Sequence, residues 1–401
     1  MRLWITTAAT LAAATPACAQ EVAIKPLIEA RTRYEHLDQA EFADASDAVT
    51  IRVRAGAEMT RGRWVALGEA QGNLAVIGDY YDGLHGPANR PTIGDPENVA
   101  IYRAQLQYRS APLTVTAGRQ RITLDDERFV GGAQIRNNAQ TFDAVRTEIV
   151  PVKGLKLDLT YAWDVRTIWG TEGRGARQRG VGGHNVFANL GAATPLGTLT
   201  GFAYLIDQDE AEVQGFRLSS QSYGVRLAGS RALAPQAKLR YQLSWARQSD
   251  YHHNPTRYRA DYWLADAALD VRGWTLNTGY EVLGADGGQP LASFQTPLGS
   301  VFKFQGWADK LTVTPPNGVR DFYAGGGYGW KKLGRIDALS LQAVWHRYQS
   351  DRLNQHYGDE WNLLATAKLR KTQLSVRYAR YEADRFATDT SRFWLQMDWA
   401  Y

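Results

Sequence analysis

Cysteine is almost missing from this chain: Cys18 is the only one in 401 residues. It falls in the opening MRLWITTAATLAAATPACAQ, where Arg2 gives a short basic start and Leu3 to Ala14 a small apolar stretch. Ala17-Cys18-Ala19 then supplies the small-x-small step that precedes signal cleavage. Residues 1–19 read as a secretory signal cut after Ala19, leaving one domain over residues 20–401. The Ala-Cys-Ala step disfavours a buried N-terminal helix. Thr15, standing where Leu is expected, disfavours a lipoprotein signal modified on Cys18. Cleavage removes the only thiol, which excludes disulfides and thiolate chemistry. It also removes one of the 46 basic residues, leaving 45 against 41 acidic ones and a net charge of +4.

Long apolar runs are missing as well. After the first segment no stretch approaches the ~18 apolar residues of a transmembrane helix, so the helical route into a membrane is closed. Enzyme motifs are absent: no G-x-S-x-G, no H-E-x-x-H and no P-loop. Gly325-Gly326-Gly327 lacks the rest of the dinucleotide pattern. His252-His253 is a pair in an expected loop with no acidic partner at ligand spacing, and reads as surface polarity; no metal or cofactor is expected. Ser244 and His346 are candidates for an outer-wall hydrolase pair, yet nothing in the sequence joins them. The basic residues are spread over the chain and balanced by acids, which argues against nucleic acid.

What is present is alternation. IEARTRYE sets Ile28, Ala30, Thr32 and Tyr34 against Glu29, Arg31, Arg33 and Glu35. VTIRVRAGAEM sets Val49, Ile51, Val53, Ala55 and Ala57 against Thr50, Arg52, Arg54 and Glu58. AIYRAQLQYR sets Tyr102, Ala104, Leu106 and Tyr108 against Arg103, Gln105, Gln107 and Arg109. About eighteen segments of roughly ten residues repeat this period of two, the length a tilted strand needs to cross a bilayer. The apolar faces end in aromatics, among them Tyr34, Tyr102, Tyr108, Tyr161, Trp163, Tyr241, Trp245, Trp274, Tyr280, Trp399 and Tyr401. Aromatic girdles favour a lipid-facing wall over a soluble sandwich. Long connections (Gly83 to Pro96, Gly170 to Gly183, Ala285 to Asp321) alternate with tight ones such as Val271-Arg272-Gly273. The expected fold is all-β, a single antiparallel transmembrane barrel of about 18 strands in the outer membrane of a Gram-negative bacterium. RFWLQMDWAY reads as its last strand, with Trp394 breaking the period.

The inward faces would line a lumen. Arg31, Arg33, Arg52, Arg54, Arg103, Arg109, Arg146 and Arg377 fall on polar sides, while Arg119, Arg121 and Arg136 lie in a less regular stretch. Rings of Arg favour anions, and a guanidinium grips a carboxylate through two parallel hydrogen bonds. The competing reading pairs them with Glu29, Glu58, Asp125, Asp126, Glu127, Asp143 and Glu148 as wall bracing. The segment LASFQTPLGSVFKFQGWADKLTVTPPNGVRDFY is too long and too aromatic for an idle loop. Phe294, Phe302, Phe304 and Trp307 offer faces for sugars, and Lys303 and Lys310 charges for an anion; a loop packed on its own side chains is the alternative.

FQTPLGSVFKFQGWADK followed by TPPNGVRDFY resembles the signature of the alginate-export family of outer-membrane channels. GRQRITLDDERFVGG with NNAQTFDAVR, and YGDEW, are similar to other stretches of that family, and the likeness runs from about Ile28 to Tyr401. It implies an eighteen-stranded barrel with a basic lumen for an acidic polysaccharide. By motif neighbourhood the matching lumen residues are Arg33, Arg52, Arg54, Arg103, Arg119, Arg136 and Arg146, with Lys303 and Lys310. Implied partners are outer-membrane lipid, an anionic polysaccharide, the outer-membrane assembly machinery acting on the C-terminal strand, and periplasmic export proteins. The alternatives are a general porin for small anions or sugars, an outer-membrane enzyme, or a scaffold barrel.

Overall fold

A computed structural model describes residues 21–209, 211–212 and 214–401; the expected signal, residues 1–19, lies outside them. Among the described residues, eighteen strands form one antiparallel sheet. They are β1 (Ala23–Gln39), β2 (Ser46–Arg61), β3 (Trp64–Asp79), β4 (Asn98–Arg109), β5 (Leu113–Gln120), β6 (Thr141–Val152), β7 (Leu155–Arg166), β8 (Gly180–Thr194) and β9 (Gly197–Ile206). The second half holds β10 (Ser220–Ala234), β11 (Ala237–Asp250), β12 (Arg259–Val271), β13 (Trp274–Leu283), β14 (Val319–Leu333), β15 (Ile336–Gln349), β16 (His356–Leu369), β17 (Thr372–Ala383) and β18 (Thr390–Ala400). Each strand pairs with its sequence neighbour, and β18 returns to β1 with Arg31 opposite Asp398 and Arg33 opposite Gln396. Closure leaves no strand edge with unpaired backbone groups in lipid.

The period of two becomes an inside and an outside. Along β2, Thr50, Arg52 and Arg54 are buried while Ile51, Val53 and Ala55 are exposed. The exposed apolar band continues through Leu243, Leu276, Leu341 and Leu395 around the wall. A continuous patch of that size is intolerable in water and is what faces hydrocarbon. Connections at one end are tight: Arg272 (φ 48°) and Gly273 (φ 90°) make the two-residue turn between β12 and β13. Positive φ at both positions matches the twist of a hairpin, and glycine takes it without a Cβ clash. The opposite end carries long loops. Outward aromatics cluster near both ends, Trp64 with Tyr108 and Trp274 with Tyr328 by the tight turns, Trp245 with Trp263 and Phe322 with Trp345 by the long loops.

Four readings of the sequence change. The connections expected over Gly83 to Pro96, Gly170 to Gly183 and Ala285 to Asp321 are 80–97, 167–179 and 284–318, because β4, β8 and β14 begin at Asn98, Gly180 and Val319. Tyr102 is not on the lipid face. The β3–β4 register steps from Glu69↔Arg103 to Ala70↔Ile101, so Tyr102 is an unpaired bulge residue turned inward, where it is buried. The break in the period at Trp394 stands, and its reason is that Trp394 sits on the inner wall, buried edge-on against Phe302 at 5.7 Å and 89°.

The core of the barrel is made by two loops. Residues 121–140 and 284–318 fold into the lumen and bury Leu124, Val130, Phe294, Leu298 and Leu311 against Phe187, Phe202, Tyr262 and Tyr348 of the wall. They bond to each other through Gly131 N–H to the Leu298 carbonyl (2.8 Å) and Ser300 N–H to the Glu127 carbonyl (2.9 Å).

Candidate functional site: the lumen passage

The first loop is held by arginines of the wall. Arg31 donates to the carbonyls of Gln134 and Ile135 (both 3.1 Å), Arg33 to that of Ile135, and Arg54 to that of Asn137 (3.3 Å). A loop without regular structure has unpaired carbonyls that must be satisfied when buried, and guanidinium groups offer several donors each. Carboxylates of β1 and of the β3–β4 connection neutralise Arg33, Arg52 and Arg54. Arg52 and Arg54 share Glu29 at 2.9 and 2.8 Å, Arg33 meets Asp95 at 3.1 Å, and Arg54 lies 3.6 Å over the Tyr102 ring.

The second loop is held by carboxylates and amides. Glu360 accepts from the backbone N–H groups of Trp307 and Ala308, the latter at 2.9 Å. Gln248 and Gln295 exchange two bonds, 2.7 and 2.9 Å. Between the loops, Glu127 accepts from Ser300 (2.6 Å) and from Lys303. Burial by itself would raise the Glu127 carboxyl, but Lys303 and Ser300 outweigh it and hold it below the ordinary value of 4.5.

What these loops leave open is a cavity of about 670 Å³, lined from the long-loop mouth (Glu41, Phe42, Trp169) to wall residues nearer the tight turns (Gln373, Asp398), and it is the candidate passage. Its charges are Arg31, Arg136, Lys303, Arg377 and Arg392 against Glu41, Glu127, Asp309 and Asp398, an excess of one positive charge. Four of the five cations are matched: Arg31 with Asp398 at 2.8 Å, Arg136 and Arg392 on a shared Asp309, and Lys303 with Glu127. Among the described residues Arg377 has no acidic partner. Its guanidinium lies over Phe302 (5.7 Å) and Trp307 (5.4 Å), two near-parallel rings, and its Nε has no hydrogen-bond partner.

Of the nine lumen residues expected from sequence, Arg136 and Lys303 line this passage. Arg33, Arg52 and Arg54 are buried behind it in contacts that hold the first loop and the wall. Arg103 pairs with Glu69 at 2.7 Å, Arg119 grips Asp143 through two bonds of 2.8 Å, and Arg146 pairs with Asp158 beside a separate cavity of about 400 Å³. Burial lowers the pKa of Lys310, which lies off the passage lining. Phe294, offered as a sugar platform, is fully buried in the loop core. Ser244 donates to the Val225 carbonyl inside the wall (3.4 Å) and His346 is held by Asp321 (3.0 Å), so the outer-wall Ser–His pair does not form. Arg377 was legible as a polar-face residue; that it and Arg392 face the passage follows from the loops.

The sequence model of the family described as alginate export matches residues 28–168. No curated protein matches the chain. Among solved structures, OccK9 (OpdG) of Pseudomonas aeruginosa has a TM-score of 0.71 at 14% identity, covering 94% of this chain and 98% of that one. OccAB2 of Acinetobacter baumannii gives 0.68 at 14%, and OpdQ of Pseudomonas aeruginosa 0.65 at 15%, each over 94% of this chain and 98% of the other. The chain has the fold of these outer-membrane β-barrels. The structural likeness covers 94% of the chain at identities that speak for the fold alone. The family match covers β1 to β7, including seven of the nine expected residues, and stops short of the stretch from Phe294 to Tyr323.

Proposed function

We propose that this channel passes carboxylate-bearing saccharides by passive diffusion, and that Arg377 is the point at which they are recognised. The observation that carries this reading is the cation without an acidic partner, set on two stacked aromatic rings in a passage with an excess of one positive charge. A guanidinium binds a carboxylate bidentately, and the two rings beneath it hold it in place. The match to the alginate export family supports an acidic polysaccharide as the substrate class. The two loops that fill much of the lumen favour short solutes, which supports a second reading as a porin for small anions or sugars. No covalent chemistry is assigned to the barrel.

The test is conductance of the refolded protein in a planar bilayer under a salt gradient, with uronates of increasing chain length. Anion selectivity with block by the acidic saccharides is the expected result. An open channel indifferent to them means the porin reading, and a channel with cation selectivity overturns passage of anions in either reading.

A further inference from the structure

Away from the passage, on the long-loop rim, two loops flanking the β10–β11 hairpin bring four ligating side chains together. Asp207 and Asp209 follow β9, and His252 and His253 follow β11. One ligand atom from each lies within 4.8 Å of all the others. The sequence hid this, since more than forty positions separate the carboxylates from the imidazoles and neither pair is a motif by itself.

The second observation is the state of Asp207. Its side chain is buried, yet neither carboxylate oxygen accepts a hydrogen bond from any described residue. His252 Nδ1 stands 3.1 Å from Asp207 Oδ1, and the same Nδ1 is 3.1 Å from His253 Nδ1. Two neutral imidazole nitrogens facing each other can share at most one proton, and a buried carboxylate without donors is costly. A cation placed among them satisfies all three groups. The frame is fixed from behind: Asp207 N–H donates to Asn185 (3.2 Å), Asp209 N–H to the Gly182 carbonyl (3.1 Å), and Asn254 to the Arg217 and Ser219 carbonyls (3.0 and 2.8 Å).

We propose that Asp207, Asp209, His252 and His253 form a site for one divalent transition ion of the zinc class, tying the loop after β9 to the loop after β11 at the outer rim. Two imidazoles and no thiolate suit zinc, nickel or copper, whereas calcium and magnesium call for oxygen cages. Tetrahedral bonds of ~2.0–2.1 Å place ligand atoms ~3.4 Å apart, so pairs at up to 4.8 Å close in while the two pairs at 3.1 Å open slightly. Asp209, His252 and His253 are exposed, which gives the ion an open approach from outside the cell.

The experiment is equilibrium binding of Zn²⁺ to the refolded, chelator-stripped barrel, with Asp207→Asn, His252→Ala and the double variant His252→Ala/His253→Ala beside it. Strand content by circular dichroism confirms that each variant is folded. One equivalent of Zn²⁺ is expected, weakened at least tenfold in each single variant and lost in the double variant, with no competition from a hundredfold excess of Mg²⁺. Co²⁺ in place of Zn²⁺ should give visible absorption bands that the double variant lacks. Equal Zn²⁺ binding by the wild type and the double variant, or no binding by either, overturns the proposal. These readouts do not involve permeation, so they stand apart from any failure of the saccharide reading.

Discussion

Arg377 should set the sign of ion selectivity. The passage holds five basic and four acidic side chains, and the other four cations each face a carboxylate. R377Q therefore leaves the passage neutral, and R377E turns an excess of one positive charge into an excess of one negative charge. The magnitude follows from Coulomb's law. An anion about 6 Å from the guanidinium gains roughly 0.7 kcal/mol at a dielectric constant of 80 and roughly 3 kcal/mol at 20. Those limits correspond to about 3-fold and about 100-fold in local anion occupancy. The passage is open to water, so the lower part of that range applies, and salt trims it further once the Debye length falls below ~10 Å. The assay is the reversal potential of single channels across a tenfold gradient of potassium chloride at low ionic strength. R377Q should lower the anion-to-cation permeability ratio by about 3-fold or more, R377K should keep most of it, and R377E should reverse its direction. R377E channels that stay as anion-selective as the wild type would refute the charge count, because selectivity would then come from the paired arginines of the wall.

Trp394→Ala removes the inner-wall ring against which Phe302 packs and over which Arg392 lies at 4.9 Å. Truncations of this kind cost ~3–5 kcal/mol in a packed core. The expected outcome is an intact barrel whose 284–318 loop is cut by protease and whose current is noisy; a quiet, resistant channel would contradict the anchoring role. The Glu127 carboxyl is held below 4.5, so its contribution to joining the loops is complete above that value and is lost as pH falls through the lowered one. Channel closures or substates should therefore appear only at acid pH, and E127Q should show them at neutral pH; an E127Q channel that records like the wild type sinks this idea. Deleting Trp399 to Tyr401 removes the tight-turn end of β18 from its pairing with β1 and β17 and should abolish assembly, measured as loss of folded protein from the outer membrane.

The wall was legible in the sequence because its physics is local. Lipid demands an apolar residue at every second position and the lumen tolerates a polar one, so Ile51, Val53, Arg52 and Arg54 announce their sides without reference to any partner. The exceptions are where that rule is overridden. Tyr102 reads as outward because one residue of bulge in β4 shifts the phase, and a bulge leaves no mark in composition. Trp394 is the informative case. It stood out as a break in the period of β18, and a break on the lumen side of a barrel means that something apolar is waiting there. That something is Phe302, from a loop about ninety residues earlier.

The same logic explains why the lumen arginines could not be sorted from sequence. Arg33 and Arg377 have equal claims by alternation, but one meets a carboxylate, an amide and the carbonyl of an inserted loop, while the other meets only ring faces. The difference is made entirely by where residues 121–140 and 284–318 come to rest. A loop that enters a lumen must have its buried carbonyls and N–H groups satisfied, and here Arg31, Arg33, Arg54 and Glu360 do so from the wall. Charges spent on holding the loops are not available to a passing ion. A basic lumen in sequence is therefore an upper bound on a basic passage: nine expected cations become two that face the open space, joined by three that gained their place only because the loops closed off the rest.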